Sequence, residues 1–344
     1  MATQSDQKDM LLPLARYRFT AIAQAPLQLP PYAGSLLRGK FGAALRQVAC
    51  MTRQPTCAGC PLLATCPYTR IFEAPAPPKG SHALQDFSQI PNPYVIEPPA
   101  PRWGQPPQDR HIAPGEALQF NLVLIGQAVE QLALAVFSLQ RALAHGLGPQ
   151  RVPLTLQRAQ WLDAQDQPHT VWHQETPTLA DHDATVPWAD RPADGAAPPD
   201  AGITLHIHTP LRLQSQGQPL RPSHLAPRAL VSALARRTAL LMDFHAPGTP
   251  APDGHATWGD AARAATQAAA GLHDQRELRW FDWVRYSSRQ QQEMTLGGVL
   301  GRWVIQGDAE TLARLRPWLR LGQWLHIGKN ATMGLGGYTL LPAA

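Results

Sequence analysis

Between Leu14 and Ala23 apolar and polar positions alternate, with Tyr17, Phe19, Ala21 and Ala23 on one side and Arg16 and Arg18 on the other, which predicts a half-buried strand. From Tyr32 to Ala49 the apolar spacing becomes helical. Leu37, Phe41, Leu45 and Val48 form one stripe, with Arg38 on its flank and Arg46 opposite, so a buried helix should follow the strand. A cysteine-rich loop spans 50–66, and the proline-rich stretch from Ala74 to Pro114 offers only short strand-like pieces such as Tyr94–Glu97. The alternating pattern returns at Leu118–Ile125. An amphipathic helix is predicted from Ala128 to His145, closed by Gly146 and Gly148, with another strand over Val152–Leu162.

The order strand, helix, strands, strand, helix, strand is that of a split β-α-β module with a mainly antiparallel sheet. Residues 176–200 are rich in Asp, Ala and Pro without a period, and are expected to be a linker or flexible insertion. Beyond them the order repeats: strand Ile203–Leu213, helix His224–Met242, strands near Leu278–Tyr286 and Met294–Ile305, helix Ala309–Leu321 and a last strand. The expected fold is therefore α+β, two tandem ferredoxin-like (RRM-like) domains over 1–175 and 201–344, with antiparallel sheets and a small zinc-binding insertion.

A length of 344 residues agrees with two domains, and 35 prolines against 16% charged residues agree with long connections. The N-terminus lacks the basic start and apolar run of a signal peptide, and no stretch of 18 uncharged apolar residues occurs, so a cytoplasmic protein is expected. A net charge of +5 favours an anionic partner without naming one.

All four cysteines fall in one loop, as Cys50-x6-Cys57-x2-Cys60-x5-Cys66. In a reducing compartment clustered thiolates point to metal rather than disulfides, and four of them suit tetrahedral structural zinc. Such a set leaves no open position for a catalytic water, which disfavours a zinc hydrolase. An iron–sulfur cluster, suggested by Cys66-Pro67, and four unligated structural cysteines are the other readings.

Near the C-terminus, Leu325-His-Ile-Gly-Lys-Asn-Ala-Thr-Met-Gly-Leu-Gly-Gly-Tyr338 puts a glycine-rich loop at 328–337 between a helix and the last strand. Backbone N–H groups at Gly334, Gly336 and Gly337, with Lys329 and Asn330, are expected to cradle phosphate. A tight connection serving the fold alone is the competing reading. The run Trp280 to Gln290 interleaves aromatics with Arg285 and Arg289, a pattern that allows base stacking beside phosphate pairing, and Arg212 ends a neighbouring strand. Arg228, Arg236 and Arg237 are expected on the solvent side of their helix.

Taken in order, Leu37-Arg-Gly39 with Phe41-Gly42, the cysteine cluster ending Cys60-Pro-Leu, Arg285-Tyr-Ser-Ser-Arg-Gln290 with Gly297-Gly298, and the terminal glycine loop resemble the CRISPR precursor-RNA processing endoribonucleases of the RAMP superfamily. The resemblance spans about Leu14 to Leu341 and is strongest in the last 70 residues. It implies CRISPR repeat RNA as partner. It also implies metal-independent cleavage, in which the ribose 2′-hydroxyl attacks the adjacent phosphate to leave a 2′,3′-cyclic phosphate and a 5′-hydroxyl.

That chemistry wants a base, an acid and cations around the phosphorane. Many members of the superfamily carry a histidine on or near the first helix, whereas this chain has none before His82. His326, beside Lys329 and the glycine loop, is the first candidate, ahead of His206, His208 and His245. Arg38, Lys40 and Arg46 of the first helix are candidates for charge stabilisation or RNA contact, and Tyr286 for a weak acid or stacking surface. The alternative is a non-catalytic RNA-binding subunit of a CRISPR effector complex, with a zinc-containing interaction module of another kind as a third reading.

Overall fold

The computed structural model describes residues 10–75, 77, 90–99, 108–189, 202–287 and 292–341, with backbone alone for 283–287 and 292–296. The chain divides into two units. The N-terminal unit gathers Leu11–Pro187 with Leu240–Thr249, and the C-terminal unit gathers the described residues of Met1–Met10, Trp188–Ala239 and Pro250–Ala344.

In the N-terminal unit β1 (Leu11–Ala23) is the central strand, followed by β2 (Leu27–Leu29), α1 (Gly34–Ala49), α2 (Pro67–Ile71), β3 (Tyr94–Glu97), β4 (Arg110–Ile112) and β5 (Ala117–Ile125). A 3-10 turn then leads into α3 (Leu132–Ala144), β6 (Leu154–Leu162), β7 (Pro168–His173) and β8 (Thr185–Pro187). The sheet runs β3-β5-β1-β6-β7, and every pairing given for it is antiparallel. Alternation in β1 does what the pattern predicts: Tyr17, Phe19, Ala21 and Ala23 are buried, and Arg16 is half-buried in an ion pair with Glu97 at 2.9 Å. The α1 stripe of Leu37, Phe41 and Leu45 closes over this core with Leu139 and Leu143 of α3. Phe19 stacks on Phe120 across the β1–β5 pair at 5.5 Å.

The stretch expected to be a linker is partly structured. β8 pairs with Leu11–Pro13, and His182 hydrogen-bonds the Tyr17 hydroxyl at 2.8 Å. The sequence hides this because a three-residue strand gives no countable alternation. Residues 190–200 of that stretch lie outside the described residues.

The C-terminal unit repeats the order with β9 (Ile203–Leu211), the small hairpin β10 (Gln214–Ser215) and β11 (Gln218–Pro219), α4 (Pro227–His245, counted in this unit as far as Ala239), α5 (Trp258–Ala268), β12 (His273–Ser287), β13 (Gln292–Gln306), α6 (Ala309–Leu325) and β14 (Tyr338–Leu341). Its sheet runs β12-β13-β9-β14, again antiparallel. In both units the strand that opens the module lies between the third and the last, which is the ferredoxin-like order, so the tandem α+β fold holds. α5 is not foreseen, although its residues alternate as on an amphipathic helix: its buried face is Ala261, Ala262 and Ala265 with Trp258, which packs edge-on against Trp188 and Trp318. Thr257 caps it by accepting the Asp260 N–H.

Candidate functional site

The glycine-rich loop lies between α6 and β14, seated on the end of β9. α6 begins at Asp308, whose carboxylate accepts the Thr311 N–H, and it ends as His326 takes φ 54° and ψ 162°. That conformation is ordinarily left to glycine, and holding a histidine in it costs on the order of 1–3 kcal/mol. The chain then turns repeatedly through positive φ, at Gly328 (88°), Asn330 (63°), Gly334 (80°) and Gly336 (71°).

Each turn is pinned to β9. The Lys329 N–H donates to the Arg212 carbonyl at 3.0 Å and the Gly336 N–H to that of Pro210 at 3.0 Å. The Thr209 hydroxyl accepts the Gly337 N–H and donates to the Gly334 carbonyl, both at 2.7 Å. His326 is buried, and its Nδ1 donates to the Leu335 carbonyl at 3.3 Å. Tyr338 donates its hydroxyl to the Leu319 carbonyl of α6, and burial pushes that phenol above its usual range, so it stays a donor.

The glycines therefore serve the fold first. A Cβ at Gly336 falls 1.8 Å from the Ile327 carbonyl oxygen, and one at Gly337 falls 2.7 Å from His326 Cε1 and 3.0 Å from His208 Cε1. The expected cradle of free backbone donors is corrected accordingly. The N–H groups of Lys329, Gly334, Gly336 and Gly337 are all engaged inside the loop or with β9. What the loop offers outward is the exposed Lys329 side chain and the half-buried Asn330.

Arg237 of α4, expected on a solvated face, instead turns inward: its Nε donates to the Leu325 carbonyl at 2.9 Å, the last residue of α6, and its Nη2 is buried. A cation at a helix C-terminus is favourable, and burial lowers this guanidinium to about 10, leaving it charged at neutral pH. Neither Arg237 nor Thr209 is singled out by the sequence pattern, because their partners lie 88 and at least 125 residues away. His206 is half-buried with its pKa lowered by that burial, and its ring lies 6.3 Å from that of His208. Arg212 meets the loop through its backbone carbonyl, its side chain being half-buried.

On β12 the expected stacking surface is partly taken. Arg221 lies over the Trp280 ring at 3.9 Å, and a Cβ at Gly297 falls 2.3 Å from that ring, so the indole is already held between neighbours. The backbone of Arg285 and Tyr286 belongs to β12, while their side chains and Arg289 lie outside the described residues.

In the N-terminal unit, α1 presents its candidates differently from one another. Arg38 donates to the Tyr94 hydroxyl at 2.9 Å and lies 4.4 Å over the Phe72 ring, which fixes it. Arg46, expected to contact RNA, turns to the cysteine loop and donates to the Gln54 and Pro55 carbonyls at 2.6 and 2.7 Å. Lys40 is half-buried, and burial, then Arg151, lowers its pKa from the ordinary lysine value. A lysine with a depressed pKa is suited to proton transfer, and the sequence alone gives no signal of the shift. His245 Nε2 donates to the Pro91 carbonyl at 2.7 Å.

Among the described residues no helix is long and apolar enough to cross a membrane. No curated protein matches the sequence. Among solved structures, a Cas6 product complex matches with TM-score 0.56 and 16% identity over 95% of this chain and 99% of its own. Thermus thermophilus Cas6 matches with TM-score 0.51 and 15% identity over 96% and 99%. A chain of a partial Cas6-RT-Cas1–Cas2 complex matches with TM-score 0.52 and 11% identity over 96% of this chain and 46% of that one. At these identities the likeness is one of fold. Residues 12–184 match the family model of the AF_1859_N N-terminal domain, and residues 205–338 match that of the CRISPR-associated endoribonuclease Cas6. The glycine loop and the strand that pins it lie within the second match, so residues 205–338 form a domain of the CRISPR-associated endoribonuclease Cas6 family.

Proposed function

We propose that this enzyme cleaves CRISPR repeat RNA without a catalytic metal, by attack of a ribose 2′-hydroxyl on the adjacent phosphate to give 2′,3′-cyclic phosphate and 5′-hydroxyl ends, and that it does so in the cytoplasm. The observation that carries the reading is the loop seated on β9, which holds Lys329 outward on a fixed backbone within the Cas6 match. Lys329 and Asn330 hold a phosphate of the RNA. A cation already fixed by its backbone pairs with that phosphate at a small ordering cost.

In the N-terminal unit Lys40 is the proton-transfer group this reading favours, because burial and then Arg151 lower its pKa and so ease the loss of its proton. His326, first in the sequence reading, is buried at the root of the loop, and its role is to hold Leu335 and Gly337 in place. Arg38 holds the α1 surface through Tyr94 and Phe72.

The experiment is incubation of purified protein with labelled repeat RNA in excess EDTA, with analysis of the product ends. A single cut ending in cyclic phosphate supports the proposal. Cleavage that stops in EDTA and returns with added magnesium overturns its metal independence, and tight binding without cutting favours the effector-subunit reading. In the same assay His326→Ala should weaken RNA binding and stability together; a loss of cleavage of roughly 100-fold with affinity intact would restore His326 as acid or base.

A further inference from the structure

The 17 residues from Cys50 to Cys66 form no strand and no helix longer than a turn, yet the four cysteines are each fixed by backbone. Cys50 ends α1, its N–H on the Arg46 carbonyl at 2.9 Å. Cys57 and Cys60 bracket a tight turn in which the Cys60 N–H donates to the Cys57 carbonyl at 3.2 Å, and Gly59 takes φ 74°. Cys66 caps the start of α2, with Pro67 as its first residue and its own N–H on the Leu62 carbonyl at 2.8 Å.

All four line one small cavity of about 10 Å³, the space of a single ion or water, together with Thr52, Thr56 and Thr69. The Thr52 hydroxyl lies 3.9 Å from the Cys50 sulfur and 3.6 Å from the Cys60 sulfur, so those two face the same point. All four are half-buried free thiols. Met51, Leu62 and Tyr68 line the same cavity, and Cys57 and Cys66 also pack against the edge of the hydrophobic core. Among the described residues no three His, Cys, Asp or Glu side chains are gathered closely enough to hold an ion as they stand.

We infer that Cys50, Cys57, Cys60 and Cys66 bind one zinc ion that closes this loop. Four thiols each lose a proton to solvent as four Zn–S bonds form at about 2.3 Å, with no change of oxidation state. The resulting centre is dianionic, and Arg46, which lines the cavity, partly offsets it. Zinc fits better than iron–sulfur because the space is that of one atom and not of a cluster. The ion fixes α2 to the end of α1. Tyr68 of α2 stacks on Phe72 at 5.6 Å, and Phe72 stacks on Tyr94 at 5.6 Å and carries Arg38, so the staple holds the α1 surface in place.

The test is elemental analysis of untagged, reduced full-length protein, followed by metal removal with a thiol-reactive mercurial and reconstitution with cobalt. Expected results are one zinc per chain, the ligand-field and charge-transfer absorption of a tetrahedral cobalt thiolate, and a lower melting temperature for the metal-free protein that zinc restores. Cys57→Ser with Cys60→Ser should lose the metal. Should that variant fail to fold, the cobalt spectrum of the wild-type chain still decides. Protein free of metal that takes up no cobalt overturns the inference, as does iron with acid-labile sulfide and visible colour. Neither result bears on whether the chain cuts RNA.

Discussion

The hydroxyl of Thr209 receives the N–H of Gly337 at 2.7 Å while giving its own proton to the Gly334 carbonyl. One buried side chain thereby satisfies two backbone groups of the glycine loop that have no water to turn to. Thr209→Val keeps the shape and removes both bonds. It should destabilise the protein by roughly 1–3 kcal/mol, the cost of leaving buried polar groups unmade, and weaken RNA binding with it. Denaturant unfolding monitored by tryptophan fluorescence measures the first, and filter binding the second.

Gly336 is the loop position least able to accept a side chain. Its φ of 71° and the 1.8 Å approach of a Cβ to the Ile327 carbonyl set backbone against backbone, which no rotamer relieves. Gly336→Ala should lower stability by more than about 1 kcal/mol and raise the dissociation constant for repeat RNA. A melting curve unchanged from wild type would mean the loop is looser than the hydrogen bonds imply.

Lys329 faces outward with its backbone held to Arg212. If its ammonium meets one phosphate, Lys329→Ala should weaken binding and reduce the salt dependence by about 0.7 in the slope of log K against log salt. An equal slope for the variant would remove Lys329 from the interface.

Lys40 should govern the pH dependence. Burial and Arg151 lower its pKa, so a base function gains activity as pH rises through that lowered value. Arg151→Ala removes the cation that disfavours the ammonium, raises the Lys40 pKa and moves this limb of the rate profile to higher pH. Lys40→Arg, which keeps charge and gives up proton transfer, should abolish the limb together with cleavage. A profile insensitive to Arg151 would assign the limb to another group.

Much of this fold was legible in the sequence, and the reason is length. β1, α1, β5, α3, α4, α6 and the β12–β13 pair each carry enough period to be counted, and their order alone specifies two ferredoxin-like units. β2, β4 and β8 have three residues each, too few for an alternation to be seen. At the site, residue types with obvious chemistry were visible, and their surroundings were not. Arg46 and Lys40 look equivalent on α1, yet one is bonded to a loop eight residues on and the other has its pKa lowered by burial and by the charge of Arg151. His326 looks reactive because it adjoins glycines, whereas one of them, Gly337, is where its ring lies, within 2.7 Å of a Cβ.

The loop whose donors are already engaged within itself or with the end of β9 has little conformational freedom left to surrender. Ligand capture by such an element carries a small ordering entropy, since rigidity was established when the chain folded. A disordered basic tail of equal charge would meet the same RNA at a thermodynamic disadvantage. The strain held at His326 is thus part of a trade made once, during folding, and not repeated with each turnover.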